Sequence, residues 1–183
     1  MRETVVLPAV AAALLLSAPL PALGGDPDPA LARAEAILAR HPVIDGHNDL
    51  PWAIREYPQA PRDVAAYDLR LRTRGATDLE RLRQGHVGGQ FWSVYVPADL
   101  DGGFARMQLE QIDIARRVIA RYPERLVLAT GAEEVERALR AGKVASLLGM
   151  EGGQAIENSL GALRAFYALG ARYMTLTHSQ TLD

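Results

Sequence analysis

Apolar and polar positions alternate along the chain with a period of about two residues in some segments and about 3.6 in others. Runs of apolar, β-branched or aromatic residues predict strands at 43–44, 90–96, 126–129, 143–150 and 173–177. Apolar residues at helical spacing predict long helices at 30–40, 104–121 and 159–169. Strands that alternate with helices favour βαβ units and a parallel sheet.

Polar signals predict the helix ends and the loops. Two capping boxes, Thr77-x-x-Glu80 and Thr130-x-x-Glu133, each predict the start of a short helix that a glycine ends. The segment 51–61 contains several prolines and predicts a surface loop. In the last long helix the following residues are expected on the core side: Leu160, Leu163, Phe166 and Tyr167.

Composition excludes several classes of protein. The 183 residues carry a net charge of −2 without a Lys or Arg run, so no nucleic-acid partner is expected. Cysteine is absent, which excludes disulfides, thiol nucleophiles and Cys-based zinc sites. Any metal ligands must therefore be Asp, Glu or one of four histidines: His41, His47, His86 and His178.

The first 25 residues differ from the rest of the chain. Arg2 precedes the apolar run 5–16, and small residues follow as far as Gly25. This run is shorter than the roughly 20 residues that span a bilayer. It predicts a cleavable signal peptide at 1–25 and export to the periplasm or the medium, with no stable membrane span afterwards. A retained anchor or a misassigned start codon are the alternatives.

Acidic residues and histidines follow three predicted strands. His47 and Asp49 are two positions apart, so a regular strand directs both to one face, where they suit a divalent metal. Asp45 is expected on that face as an outer group that orients the ligands. Glu151 and His178 follow later strands, at the end where barrel enzymes keep catalytic groups. His-x-Asp alone is a weak signal that favours a hydrogen-bonded histidine and a capping aspartate over a metal site.

Four segments together resemble the membrane dipeptidase (renal dipeptidase, peptidase M19) family. They are HPVIDGHNDLPW (41–52), GHVGGQFWSVYVP (85–97), GKVASLLGMEGG (142–153) and LGALRAFYALGARYMTLTHS (160–179). The resemblance covers residues 29–183. It implies an α/β, TIM-like (β/α)8 metal-dependent hydrolase barrel, of which the first four or five strands are expected in this chain.

The resemblance also implies a site and a reaction. His47 and Asp49 would bind one zinc ion, and Glu151 would bridge it to a second, so that a water between two ions attacks a dipeptide. His178 would contact the substrate and oppose negative charge on its carbonyl oxygen. His41 and His86 precede strands and are expected to be structural. The residues do not determine the oligomeric state, for which a homodimer is one candidate.

Two other interpretations stay open from the residues. One is a different metal-dependent amidohydrolase, although many of those carry His-x-His on the first strand. The other is a truncated, non-catalytic remnant, because the family's second zinc is held by histidines from later strands. The isolated 183-residue chain is accordingly expected to bind metal weakly and to leave dipeptides intact.

Overall fold

The computed structural model describes residues 28–179, so the expected signal segment 1–25 lies outside the described residues. The strands are β1 Val43–Asn48, β2 Val87–Tyr95, β3 Leu126–Leu128, β4 Val144–Glu151 and β5 Ala171–Met174. The helices are α1 Pro29–Arg40, α2 Leu50–Arg55, α3 Leu79–Gln84, α4 Phe104–Arg121, α5 Ala132–Arg140 and α6 Leu160–Ala168, with a 3₁₀ turn at Gly153–Ile156.

All strand pairs are parallel, and β4 is the central strand of the sheet. It pairs with β2 along one side; on the other side β3 pairs with its first half and β5 with its second. β1 pairs with β2, so β1, β2, β4 and β5 are successive parallel neighbours. This α/β arrangement, with helices between the strands, confirms the predicted fold class and matches consecutive strands of a TIM-like barrel.

Apolar residues cover both faces of the sheet. Trp92 and Val94 of β2 belong to the main core, together with Ile112 and Ile119 of α4. On the opposite face, Leu147 belongs to a smaller cluster with residues of α5. Since neighbouring residues of a strand face opposite sides, β4 reads as a continuous apolar run, as parallel strands buried on both faces do.

The helix after β1 corrects the prediction of a surface loop at 51–61. Residues 50–55 form α2, in which Leu50, Pro51 and Ile54 are buried. A proline in the first helical turn is tolerated because its missing N–H would have no helical partner there. Arg55 anchors this helix by donating to Gln111 of α4 at 2.9 Å.

Both capping-box predictions are wrong by one residue. Asp78 caps α3 and accepts a hydrogen bond from the Arg81 N–H at 2.8 Å. At α5 the N-cap is Gly131, and the Glu134 carboxylate accepts from the N–H and the hydroxyl of Thr130. In each helix the hydrogen bonds are made by the acidic residue that follows a predicted box residue: Asp78 follows Thr77, and Glu134 follows Glu133. The spacing therefore identified where each helix starts but not which residues make the bonds.

The predicted core side of α6 is wrong at two positions. Phe166 is buried, whereas Leu160 and Tyr167 are 63% and 61% exposed. The Arg172 guanidinium lies over the Tyr167 ring, 4.3 Å from its centroid. Phe166 is the one buried residue of α6, so the buried face of this helix is narrower than its apolar residues indicate. Across residues 28–179, none of the helices has the length and apolar character to cross a bilayer.

Candidate metal centre

Three potential metal ligands converge at the carboxyl end of the sheet. His47 Nε2 lies 3.0 Å from Asp49 Oδ1 and 3.4 Å from Glu151 Oε2. One ligand atom from each residue lies within 4.8 Å of the other two. The sequence placed these residues at the ends of two strands, and the parallel order of β1, β2 and β4 brings those ends together.

A bulge in β1 determines the direction of the His47 side chain. Asp45 pairs with Gln90 of β2, and Asn48 pairs with Trp92, so three steps along β1 match two along β2. The extra residue changes the alternation of faces. His47 therefore points to the face that carries Glu151.

The same bulge corrects the expectation that Asp45 shares a face with His47. The Asp45 carboxylate accepts a hydrogen bond from the Gln90 amide at 2.9 Å, on the face that packs against the helices. It also accepts from the His47 backbone N–H at 3.3 Å. Asp45 thus contacts the backbone of the histidine from the other side of the strand.

Asp49 lies one residue beyond β1, at the N-cap of α2. Among the contacts of the described residues, its side chain makes no capping hydrogen bond. The Leu50 N–H instead donates a hydrogen bond to Asn48 Oδ1 at 3.1 Å. The Asp49 carboxylate is therefore directed at His47 rather than at the helix, in contrast to the capping alternative.

The two oxygens of Glu151 face different neighbours. Oε2 accepts a hydrogen bond from the Ser93 hydroxyl at 2.6 Å, and Oε1 lies 3.0 Å from His178 Nε2. The Glu151 side chain is 16% exposed, and Ser93 on β2 is fully buried. Sequence reasoning missed Ser93, because only the register of β2 against β4 places it beside the carboxylate.

Aromatic residues form one wall of the site. The Tyr95 ring lies between Trp52 and His178, with centroid distances of 5.1 Å and 5.3 Å. Burial, together with the negative charge of Glu151, raises the pKa of Tyr95. Neither Tyr95 nor Trp52 was singled out from the sequence, since aromatic residues at strand and helix ends usually belong to the core.

The other two histidines lie away from this cluster, as the sequence predicts. His41 ends α1, and the backbone oxygen of His86 accepts a hydrogen bond from the Val43 N–H at 2.9 Å. Both are therefore at the amino ends of β1 and β2.

The three converging side chains fit a divalent cation. An imidazole and two carboxylates are zinc ligands, and donors this close together can share an ion at the usual distances of about 2.0–2.2 Å. Ser93 holds one oxygen of the bridging candidate Glu151 in place, which is the kind of outer contact that metal sites need. His178 lies beside the other oxygen of Glu151, with its Nε2 3.0 Å from Oε1.

Comparisons with known proteins show the family of this chain. Residues 31–183 match the model of the family described as membrane dipeptidase (peptidase family M19). Dipeptidase verJ of Clonostachys rogersoniana is 44% identical over 162 residues, which cover 82% of this chain and 41% of that protein. Dipeptidase ataJ of Aspergillus terreus is 44% identical over 163 residues, covering 84% and 39%. The chain thus spans about two-fifths of the length of these curated relatives.

Solved structures show the same fold. A dipeptidase described as a metallo peptidase of family M19 is 27% identical, with a TM-score of 0.59 over 76% of this chain and 43% of that one. A metallo peptidase from Rhodobacter sphaeroides, liganded with a phosphinate mimic of the dipeptide L-Ala-D-Ala, has a TM-score of 0.65 at 24% identity. It covers 76% of this chain and 46% of that one. At 24% identity, the similarity to the Rhodobacter sphaeroides structure concerns the fold alone.

Proposed function

The chain belongs to the membrane dipeptidase family, peptidase family M19, and from this premise we propose that the protein hydrolyses dipeptides with divalent metal bound at His47, Asp49 and Glu151. The observation that carries the proposal is the convergence of these three side chains at the carboxyl ends of β1 and β4. In barrel enzymes that end of the strands carries the catalytic groups.

The metal proposed is zinc, with two ions in the complete site. The donor set of one imidazole and two carboxylates supports zinc, and the family resemblance supports the number of ions. A divalent cation, when bound, polarises a carbonyl group and lowers the pKa of a coordinated water. His47 and Asp49 would hold the first ion.

The geometry of Glu151 supports a bridging role for its carboxylate. Oε2 faces His47 and the hydroxyl of Ser93, whereas Oε1 faces away from them towards His178. The two oxygens can therefore serve two ions on different sides. The hydrogen bond from Ser93 restricts rotation of the carboxylate and keeps both directions available.

His178 is proposed to bind the substrate and to stabilise the transition state. Its Nε2 reaches the site, 3.0 Å from Glu151 Oε1, while its ring contacts Tyr95. An imidazole N–H in this position can donate to the carbonyl oxygen of the scissile peptide as negative charge develops there. The contact with Tyr95 limits the orientations of the ring.

The test is hydrolysis of glycine-containing dipeptides by the protein produced from its complete gene. Activity should disappear with EDTA and return with Zn²⁺. The matched pair of variants is His47→Ala, which should abolish turnover, and His86→Ala, which should leave it unchanged. Hydrolysis of cyclic amides without hydrolysis of dipeptides would instead assign the protein to a different group of metal-dependent amidohydrolases.

We also propose that the protein is exported after removal of residues 1–25. The apolar run at 5–16 and the small residues after it support this. The mature chain should begin between Gly24 and Asp28, which N-terminal sequencing of periplasmic or secreted material would test. An intact Met1 on protein recovered from the cytosol would contradict export.

A further inference from the structure

Tyr173 of β5 reaches across the sheet to the strand that carries His47. Its hydroxyl donates a hydrogen bond to the backbone oxygen of Gly46 at 3.1 Å. The two residues are 127 positions apart in the chain, and β4 and β2 lie between their strands. This contact therefore joins the first and last strands of the described sheet across the face that carries Glu151.

The path of the Tyr173 side chain depends on a glycine. The ring passes over Gly149 of β4, where a Cβ atom would overlap the ring carbons of Tyr173. Beyond it the ring packs on Phe91 of β2, with centroids 5.1 Å apart. The absence of a side chain at Gly149 leaves space on the face of the sheet that carries Glu151. The Tyr173 ring fills this space, and its hydroxyl is directed towards β1.

Gly46 belongs to an irregular part of β1. It lies inside the bulge between Asp45 and Asn48, where the regular pairing with β2 is interrupted. Within residues 28–179, β1 pairs with β2 alone. Gly46 also directly precedes His47, and a Cβ at Gly46 would meet no atom within 4 Å, so packing does not hold this residue.

We propose that Tyr173 is a positioning residue of the metal site, which sets the place of His47 relative to Glu151 by holding the Gly46 carbonyl. Metal sites depend on such outer contacts because a ligand that moves by a fraction of an ångström loses its bond to the ion. Among residues 28–179, the hydroxyl hydrogen-bonds to the Gly46 oxygen rather than to a ligand side chain, so this contact acts through the backbone of β1. This inference rests on the proposed metal site and deepens it.

The test is Tyr173→Phe in the protein produced from its complete gene. This variant keeps the ring over Gly149 and removes only the hydroxyl. After EDTA treatment and dialysis, titration calorimetry with Zn²⁺ alone should show binding about tenfold weaker than in the wild type. The matched control is Tyr167→Phe, which removes the hydroxyl of an exposed tyrosine on α6 and should leave Zn²⁺ affinity unchanged.

The outcomes separate a positioning role from a merely structural one. A lower melting temperature of the metal-free Tyr173→Phe variant with wild-type Zn²⁺ affinity would overturn the inference, because it would assign the hydroxyl to stability alone. Wild-type affinity in this variant, in a protein that does hydrolyse dipeptides, would also overturn the inference and leave the proposed function intact. Weaker Zn²⁺ binding in a protein that hydrolyses no dipeptide would support the inference and contradict the function.

Discussion

Glu151 differs from the other candidate ligands because its two oxygens have separate partners. Ser93 and His47 lie on one side of the carboxylate and His178 on the other. At the scale of single residues, the site therefore allows experiments that distinguish a metal ligand from a residue that acts on the substrate.

Replacement of Glu151 by Gln is expected to remove metal and activity together. A neutral amide cannot offset two dications, and its NH₂ group would face either His47 or His178. Metal affinity should fall by more than about 100-fold, beyond the loss typical of outer contacts. Elemental analysis after dialysis, beside a dipeptide assay, measures both effects. Glu133→Gln, at an exposed position of α5, is the matched control. Full metal occupancy in Glu151→Gln would refute the bridging role.

Replacement of His178 by Ala is expected to keep the metal and lower turnover. The loss of one donor to a developing oxyanion typically reduces kcat by about 10²–10³. The variant His41→Ala changes a histidine at the opposite end of β1 and should retain full activity. Steady-state kinetics and metal analysis on the same preparations decide the matter. Loss of metal from His178→Ala would make this histidine a ligand instead.

At the scale of elements, the N-cap of α3 is the most testable feature outside the site. Asp78 is 3% exposed, and burial by itself would raise its pKa. The hydrogen bonds from the Arg81 N–H and guanidinium outweigh burial, and the pKa of Asp78 is lowered below 3.8. The carboxylate is thus bound more tightly by its neighbours in the folded chain than in the unfolded one.

Asp78→Ala is expected to lower the free energy of unfolding by about 1–2 kcal/mol. Because the folded pKa is the lower one, the stabilisation is fully present above the unfolded value of 3.8 and is lost as the pH falls through the folded value. The difference between variant and wild type should therefore shrink below about pH 4. Urea unfolding at several pH values measures it. Glu133→Gln, at an exposed position of α5, should leave stability nearly unchanged, and an equal loss there would contradict the assignment.

At the scale of the whole molecule, a metal ion would connect two strands that are not neighbours. His47 lies near the end of β1, Asp49 follows that strand, and Glu151 ends β4, with β2 between β1 and β4. An ion bound only by the folded chain stabilises it by mass action. At a Zn²⁺ concentration 100 times Kd, unfolding should cost about 2.7 kcal/mol more than in EDTA.

Denaturant unfolding with and without Zn²⁺ measures this linkage. The stabilisation should be absent in Glu151→Gln and present in Glu133→Gln. Equal stabilisation of both variants would show that the ion binds elsewhere on the protein.

Local pattern alone determined much of this protein. The apolar spacing of 104–121 predicted α4 with its bounds, and the apolar run before Glu151 predicted the buried strand β4. The order of strands and helices predicted the α/β class, and the sequence motifs predicted the family that the comparisons confirm. These features follow from residues near one another in the chain, because the periods of helices and strands are local properties.

Tertiary structure alone decided how the site is assembled. The bulge that separates Asp45 from His47 exists only in the pairing of β1 with β2. Ser93 reaches Glu151 through the register of β2 and β4, and Tyr173 of β5 reaches Gly46 of β1 across the two strands between them. The sequence placed Leu160 and Tyr167 of α6 in the core, but both are exposed. Their burial depends on which elements pack against the helix. Such contacts join residues that are distant in the chain, and a pattern with a period of two or 3.6 residues carries no information about them.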